Sequence, residues 1–259
     1  MVNPVSGLHV KHRCWLSHIK RQEAVTAISM ESITVIDNFL QNPDDVRRMA
    51  LSQTYRKNDV SGGYWPGGRT EQVAELNPEY TNFIHRKVLN VAYNTERTPV
   101  IAAKISSEFQ YVTNDFGFGK VHCDHDEVAA VLYLTPDAPI DSGTEFYKQL
   151  NDIPEDLGLA YTDVCASVAT GNPITEEQQK IKDAILSYYV KTDVVANIYN
   201  RLVVYPSSYP HCATRYFGNT LEDARLTQVF FITCDYHNAR FKYKADSLRY
   251  GDDFKPDFT

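Results

Sequence analysis

Residues 119–136 read GKVHCDHDEVAAVLYLTP. Two histidines and three acidic residues fall within the six positions 122–127, and an apolar, β-branched run follows at once. That run has the length and composition of a strand buried in a sheet. Imidazole and carboxylate crowded against the edge of a core admit three readings: a metal site, an acid/base pair, or a solvated polar turn.

Working outward, the chain changes texture twice. Before residue 98 it carries helix signals. Asn42-Pro43-Asp44-Asp45 offers an N-cap, a proline at the first helical position and two acids facing the helix dipole, and Val46, Met49 and Ala50 follow at helical spacing. Asn77-Pro78-Glu79 repeats the device ahead of Tyr80, Phe83, Ile84 and Val88. SGGYWPGGRT lies between them as a turn-rich loop with exposed Trp65 and Arg69. After residue 98 the runs PVIAAKI, SEFQYVT, EVAAVLYL, TEFY, NIYNRLVVYP and RLTQVFFITC read as strands. Residues 148–193 interrupt them as an insertion with one helix, opened by a capping box from Thr175 to Gln178 and carrying Ile181, Ala184, Ile185 and Tyr188. Helices first and strands afterwards predict an α+β fold, mainly a β core, with a β-sandwich or jelly roll and the N-terminal helices packed on one sheet. Residues 1–29 are basic and weakly patterned and read as an appendage; residues 30–259 read as one domain.

The 259 residues suffice for a large core, being 43% apolar and 23% charged. A net charge of −7 argues against a nonspecific grip on nucleic acid. No apolar run approaches the roughly 20 residues of a membrane span, and the N-terminus lacks the apolar core of a signal peptide. Five cysteines without a CxxC pair read as free thiols, so a cytoplasmic location is expected.

On an extended strand residues i and i+2 share a face, so His122 and Asp124 point one way and Cys123 and His125 the other. One imidazole and one carboxylate on a face make two parts of a facial triad, the ligand set that suits non-haem Fe(II) and leaves coordination positions open. His125-Asp126-Glu127 competes, but its ligands fall on the face opposite Asp124. The second histidine must come from elsewhere. His211 and His237 are the candidates, and His211 is better placed, just after the strand RLVVYP. The same three ligands also bind zinc, so a zinc hydrolase and a non-catalytic jelly-roll binding protein stand as alternatives.

Taken together, the segments resemble the Fe(II)- and 2-oxoglutarate-dependent oxygenase superfamily, nearest its prolyl 4-hydroxylase-like branch. FQYVTNDFGFGKVHCD resembles that family's tyrosine strand, glycine-bearing loop and His-x-Asp; AAVLYLTP with SGTEFY resembles its next strand pair; NRLVVYPSSYPHCATRYFG with ARLTQVFF resembles its distal histidine and arginine. Ser142 replaces a glycine of the family pattern, and the 148–193 insertion departs from it. The resemblance implies a double-stranded β-helix (jelly roll, cupin-like) and a dioxygenase that hydroxylates a protein side chain or small molecule, using Fe(II), 2-oxoglutarate and O2 and releasing succinate and CO2. It implies His122, Asp124 and His211 as iron ligands. Arg225, fourteen positions after His211, is implied as the partner of the distal carboxylate, the geometry a guanidinium suits. Thr227, on the same strand face, and Tyr133 are implied as its helpers, and Tyr111 as a pocket residue near the iron. The SGGYWPGGRT loop and the insertion are expected to border the substrate entrance.

Overall fold

The helix signals of the sequence are realised by specific contacts, with one exception. The computed structural model describes residues 32–57, 65–93, 95, 103–169 and 172–234. Helix α1 (Pro43–Leu51) starts on its proline with Asp44 and Asp45 in the first turn, and buries Val46, Met49 and Ala50. The expected Asn42 cap does not form: its side chain makes no capping bond, so the proline and the two acids carry the start. Helix α2 (Val73–Leu76) is a single turn. At the start of α3 (Pro78–Tyr93), Asn77 Oδ1 accepts from Tyr80 N at 2.9 Å.

Among the described residues, ten strands form two antiparallel sheets: β1 (Thr34–Ile36), β2 (Arg56–Lys57), β3 (Gly68–Arg69), β4 (Ala103–Val112), β5 (Val128–Tyr133), β6 (Thr144–Gln149), β7 (Tyr189–Val195), β8 (Leu202–Pro206), β9 (His211–Ala213) and β10 (Arg225–Cys234). The larger runs β1-β8-β5-β10-β4-β3-β2 and the smaller β7-β6-β9. The expected mixture of helices with a mainly antiparallel β core is what the chain builds.

Register decides which face each side chain takes. β10 pairs with β4, Arg225 opposite Val112 and Leu226 opposite Tyr111, and with β5, Thr227 opposite Tyr133. Leu226, Phe230 and Ile232 pack under the helices with Tyr80, Ile84 and Val88. The other face of β5, β8 and β10 meets the smaller sheet, where Val131, Tyr133, Tyr205 and Val229 pack against Phe146 and Val195. The larger sheet is therefore the middle layer of three, and the site lies between the two sheets.

The insertion holds more structure than its sequence announces. Its predicted helix is α5 (Glu176–Leu186), and both bonds of the capping box are present, at 3.0 and 3.2 Å. A second helix, α4 (Glu155–Ala169), precedes it, and the insertion's end forms β7. Gly158 and several β-branched residues give α4 poor intrinsic propensity; the packing of Tyr161 and Cys165 on Ile185 supplies what propensity lacks. Cys123, Cys165 and Cys212 are free thiols. Among the described residues no helix is long and apolar enough to cross a membrane. Residues 1–29, residues 61–64 of the SGGYWPGGRT loop, and His237 lie outside the described residues.

One partly buried histidine makes the helix–sheet interface pH-sensitive. His85 on α3 places Nε2 2.9 Å from Ser107 Oγ, with its ring edge-on to Phe230 at 6.2 Å. Burial pushes its pKa down from 6.5 to about 4. Between those values the unfolded chain takes a proton that the folded state refuses, so stability is full above the upper value and falls as pH drops towards the lower. Urea denaturation at about pH 7 and about pH 4.5 is expected to show the wild type losing about 1–2 kcal/mol more than His85→Gln.

Candidate metal centre

His122 lies in an isolated bridge rather than in a regular strand. It pairs with His211 through two backbone bonds, His122 N to His211 O at 3.0 Å and His211 N to His122 O at 2.9 Å. Residues directly opposite in an antiparallel pair project to the same face, and the two imidazole centroids are 4.5 Å apart. Asp124 N donates to Ser207 O at 2.9 Å, which holds the carboxylate beside them. On its other side β9 pairs with β6, bringing Phe146 opposite His211. Cys123 turns away, its thiol donating to Ser208 O at 3.3 Å, and Cys212 lies with the Tyr147 hydroxyl at 3.8 Å.

One donor atom from each of His122, Asp124 and His211 lies within 4.8 Å of the other two. His122 Nε2 is 3.5 Å from Asp124 Oδ1, and His211 Nε2 is 3.3 Å from Oδ2. Both Nδ1 atoms are committed elsewhere: His122 Nδ1 is 2.8 Å from Lys120 O and His211 Nδ1 is 2.8 Å from Tyr209 O. A carbonyl only accepts, so each Nδ1 carries the proton and each Nε2 keeps its lone pair. The imidazole–carboxylate separations are long for charged hydrogen bonds. They approach the roughly 3 Å between cis ligands at ordinary metal–nitrogen and metal–oxygen distances. The donor set thus fits a divalent cation.

The electrostatics agree at Asp124 and His211; at His122 burial lowers the imidazole, but the Asp124 carboxylate outweighs it and raises the group above its ordinary value. Burial alone would raise the Asp124 carboxyl, but the neighbouring His122 and His211 imidazoles outweigh it and hold the group well below the usual carboxylate range. Burial pushes the His211 imidazole down, and neighbouring His122 adds to the shift, which favours the neutral, ligating form. The His211 side chain is 6% exposed and that of His122 is 45% exposed, so the cluster opens to solvent on the His122 side.

Arg225 begins β10 on the face that meets the smaller sheet and is buried. Its Nε donates to Ser142 O at 3.2 Å and Nη2 to Gly143 O at 3.4 Å, while the guanidinium lies 5.4 Å from the centre of the Tyr133 ring. Among the described residues no carboxylate pairs with it. Gly143 is required there: a Cβ would fall 1.8 Å from Val195 O. The Tyr133 hydroxyl is 2.7 Å from Thr144 Oγ1, and burial pushes its pKa up, partly offset by Arg225. Thr227 is buried beside them, its hydroxyl directed at Gln110 O at 3.4 Å.

Tyr205 joins the two groups. Its ring stands edge-on to His211 at 4.7 Å and to Phe146 at 5.0 Å. Burial raises its phenol far above the ordinary value, Asp124 adding to the rise and Arg225 opposing it. Tyr133, which the guanidinium faces, packs in one cluster with Phe146 and Tyr205, so the donor set and the buried arginine flank one aromatic wall.

Tyr111 is not brought to this site. Register sets it opposite Leu226, on the helix side, where its ring meets Tyr55 at 5.0 Å in a T-shaped contact. Gln110, one residue earlier, takes the inward face opposite Thr227. Arg69 is not the exposed loop residue that its surroundings in sequence imply. It pairs with Glu108 at 3.3 Å and lies 5.1 Å from the Trp65 ring centre and 5.7 Å from that of Phe231. Tyr205 and Gln110 escape sequence reasoning. Alternation in FQYV places either Gln110 or Tyr111 inward and does not choose between them.

No curated protein matches the sequence. In structure the chain is similar to HygX from Streptomyces hygroscopicus with nickel and 2-oxoglutarate bound, with TM-score 0.48, 13% identity, and coverage of 79% of this chain and 83% of HygX. It is also similar to a prolyl-4-hydroxylase from Pseudomonas putida, with TM-score 0.42, 18% identity and coverage of 78% and 92%. A prolyl hydroxylase from Trichoplax adhaerens, in complex with a peptide fragment of hypoxia inducible factor, gives TM-score 0.42, 12% identity and coverage of 80% and 86%. Scores and identities of this size assign no chemistry to this chain. At the level of sequence, the family described as "Family of unknown function (DUF6445)" matches residues 18–232, and the chain belongs to it.

Proposed function

We propose that this protein is an Fe(II)- and 2-oxoglutarate-dependent dioxygenase, its two sheets forming the walls of a double-stranded β-helix. The observation that carries the reading is a buried arginine without a carboxylate partner among the described residues, sharing an aromatic wall with a His-Asp-His donor set. A zinc hydrolase accounts for the three donors and leaves Arg225 unexplained. A keto-diacid accounts for both, with one end for the metal and a distal carboxylate for the guanidinium.

In this reading His122, Asp124 and His211 hold the ferrous ion. With 2-oxoglutarate and O2, that ion supplies the oxidising power for hydroxylation, with release of succinate and CO2. The chain's own residues supply position and polarity. Lys120 O and Tyr209 O fix the two imidazoles as Nδ1–H tautomers, which aims the Nε2 lone pairs. Ser142 O and Gly143 O hold Arg225 by Nε and one terminal nitrogen. The Tyr133 hydroxyl stays protonated, and because it shares one hydrogen bond with Thr144, the pair keeps one hydroxyl hydrogen to donate beside the guanidinium. Phe146 and Tyr205 exclude water from the His211 side. Substrate is expected to approach from the exposed His122 side; it is a protein side chain or a small molecule.

Purified protein with Fe(II) is expected to convert 2-oxoglutarate to succinate, slowly even without prime substrate, and a failure to bind 2-oxoglutarate in the ferrous state would refute the proposal. His211→Ala is expected to lose divalent-metal binding, measured calorimetrically, and succinate formation with it. Arg225→Gln is expected to keep the metal and bind 2-oxoglutarate about 10- to 100-fold more weakly, the loss of charged hydrogen bonds to a carboxylate. Unchanged cosubstrate affinity in that variant would remove Arg225 from the assignment.

A further inference from the structure

The insertion lies against the segment that leads into the metal ligand His122. Phe118 stacks on Tyr161 of α4, with ring centres 6.5 Å apart and planes 17° from parallel, and Lys182 of α5 places Nζ 4.1 Å from the Phe118 ring centre. On the other side Gly119 runs so close to β9 that a Cβ would fall 2.4 Å from Ala213 O. Two residues after Phe118, the Lys120–Val121 peptide is held at both ends. Its N–H, on Val121, donates to the Tyr161 hydroxyl at 3.4 Å, and its carbonyl, on Lys120, accepts from His122 Nδ1 at 2.8 Å. Lys120 Nζ reaches Thr162 Oγ1 on the same helix at 3.3 Å.

One peptide unit therefore joins the insertion helix to the imidazole. A peptide is rigid and polar, so a hydrogen bond at its N–H both fixes its plane and increases the negative character of its oxygen. That oxygen orients His122 and sets the basicity of its Nε2. His122 needs this support more than His211, because its ring is the exposed one of the pair.

We propose that the helical insertion is a positioning device for His122, with Tyr161 acting through the Lys120–Val121 peptide. The inference rests on His122 being a metal ligand, and it gives the insertion a task distinct from bordering the substrate entrance. Tyr161 is a positioning residue: it touches neither the donor cluster nor the expected cosubstrate.

The test uses the full chain loaded with Co(II), whose paramagnetism displaces the two imidazole N–H proton signals from the rest of the NMR spectrum. Tyr161→Phe keeps the ring on Phe118 and removes only the hydroxyl. It is expected to lower Co(II) affinity about three- to tenfold, less than the 10- to 100-fold typical of a direct outer-shell partner. It is also expected to move or exchange-broaden one N–H signal while the other holds. Thr162→Val, which releases Lys120 without touching Tyr161, is expected to shift the same signal by less. Unchanged affinity and spectrum in Tyr161→Phe would overturn the proposal, as would equal displacement of both signals, the mark of general loosening. Wild-type protein that takes up no Co(II) would instead overturn the metal centre itself, and this inference with it.

Discussion

Two backbone hydrogen bonds between His122 and His211 are the constraint on which the site depends. The residues are far apart in sequence, and no local preference brings them together. Once they are opposite in an antiparallel bridge, geometry sends both side chains to one face, and the carbonyls of Lys120 and Tyr209 turn both rings to the same tautomer. Asp124 needs only its own bond to Ser207 O to complete the donor set. A shift of one residue in this pairing would aim the imidazoles to opposite sides and leave three polar side chains without a common purpose.

A second constraint is energetic. Burying a guanidinium costs several kcal/mol unless charge or well-placed dipoles replace its hydration. Arg225 has two peptide carbonyls and the face of Tyr133, a partial replacement. The arrangement holds because its strand is fixed over its length, paired on one side with β4 and on the other with β5. In the proposed reading the remaining compensation comes from the distal carboxylate of the cosubstrate, so the cost of the buried charge becomes selectivity for a diacid.

The three layers divide the work. Helices α1–α3 cover the outer face of the larger sheet with an apolar core. The smaller sheet covers the inner face and supplies Phe146, Thr144 and the backbone around Gly143. The insertion serves neither core; it builds a small one of its own around Tyr161, Cys165 and Ile185 and presses on the approach to His122. The most exposed member of the His-Asp-His cluster is thereby braced from outside the sheets.

The sequence by itself determined the chemistry-bearing residue types and the local elements whose signals are short-range. The α5 capping box, the strand character of β5, β8 and β10, and the placement of Arg225 two residues before Thr227 follow from spacing within one element, where periodicity is a physical rule, and His122-x-Asp124 from the same alternation in an extended segment. Tertiary structure alone decided the rest. Whether Gln110 or Tyr111 faces inward depends on the register of β4 against β10, a pairing across more than a hundred residues. Helix α4 depends on packing that its own composition does not announce, and Tyr205 becomes part of the site only because β8 lies beside β5. Residues that act through contact with distant partners carry no local signature, because what selects them is the neighbour and not the spacing.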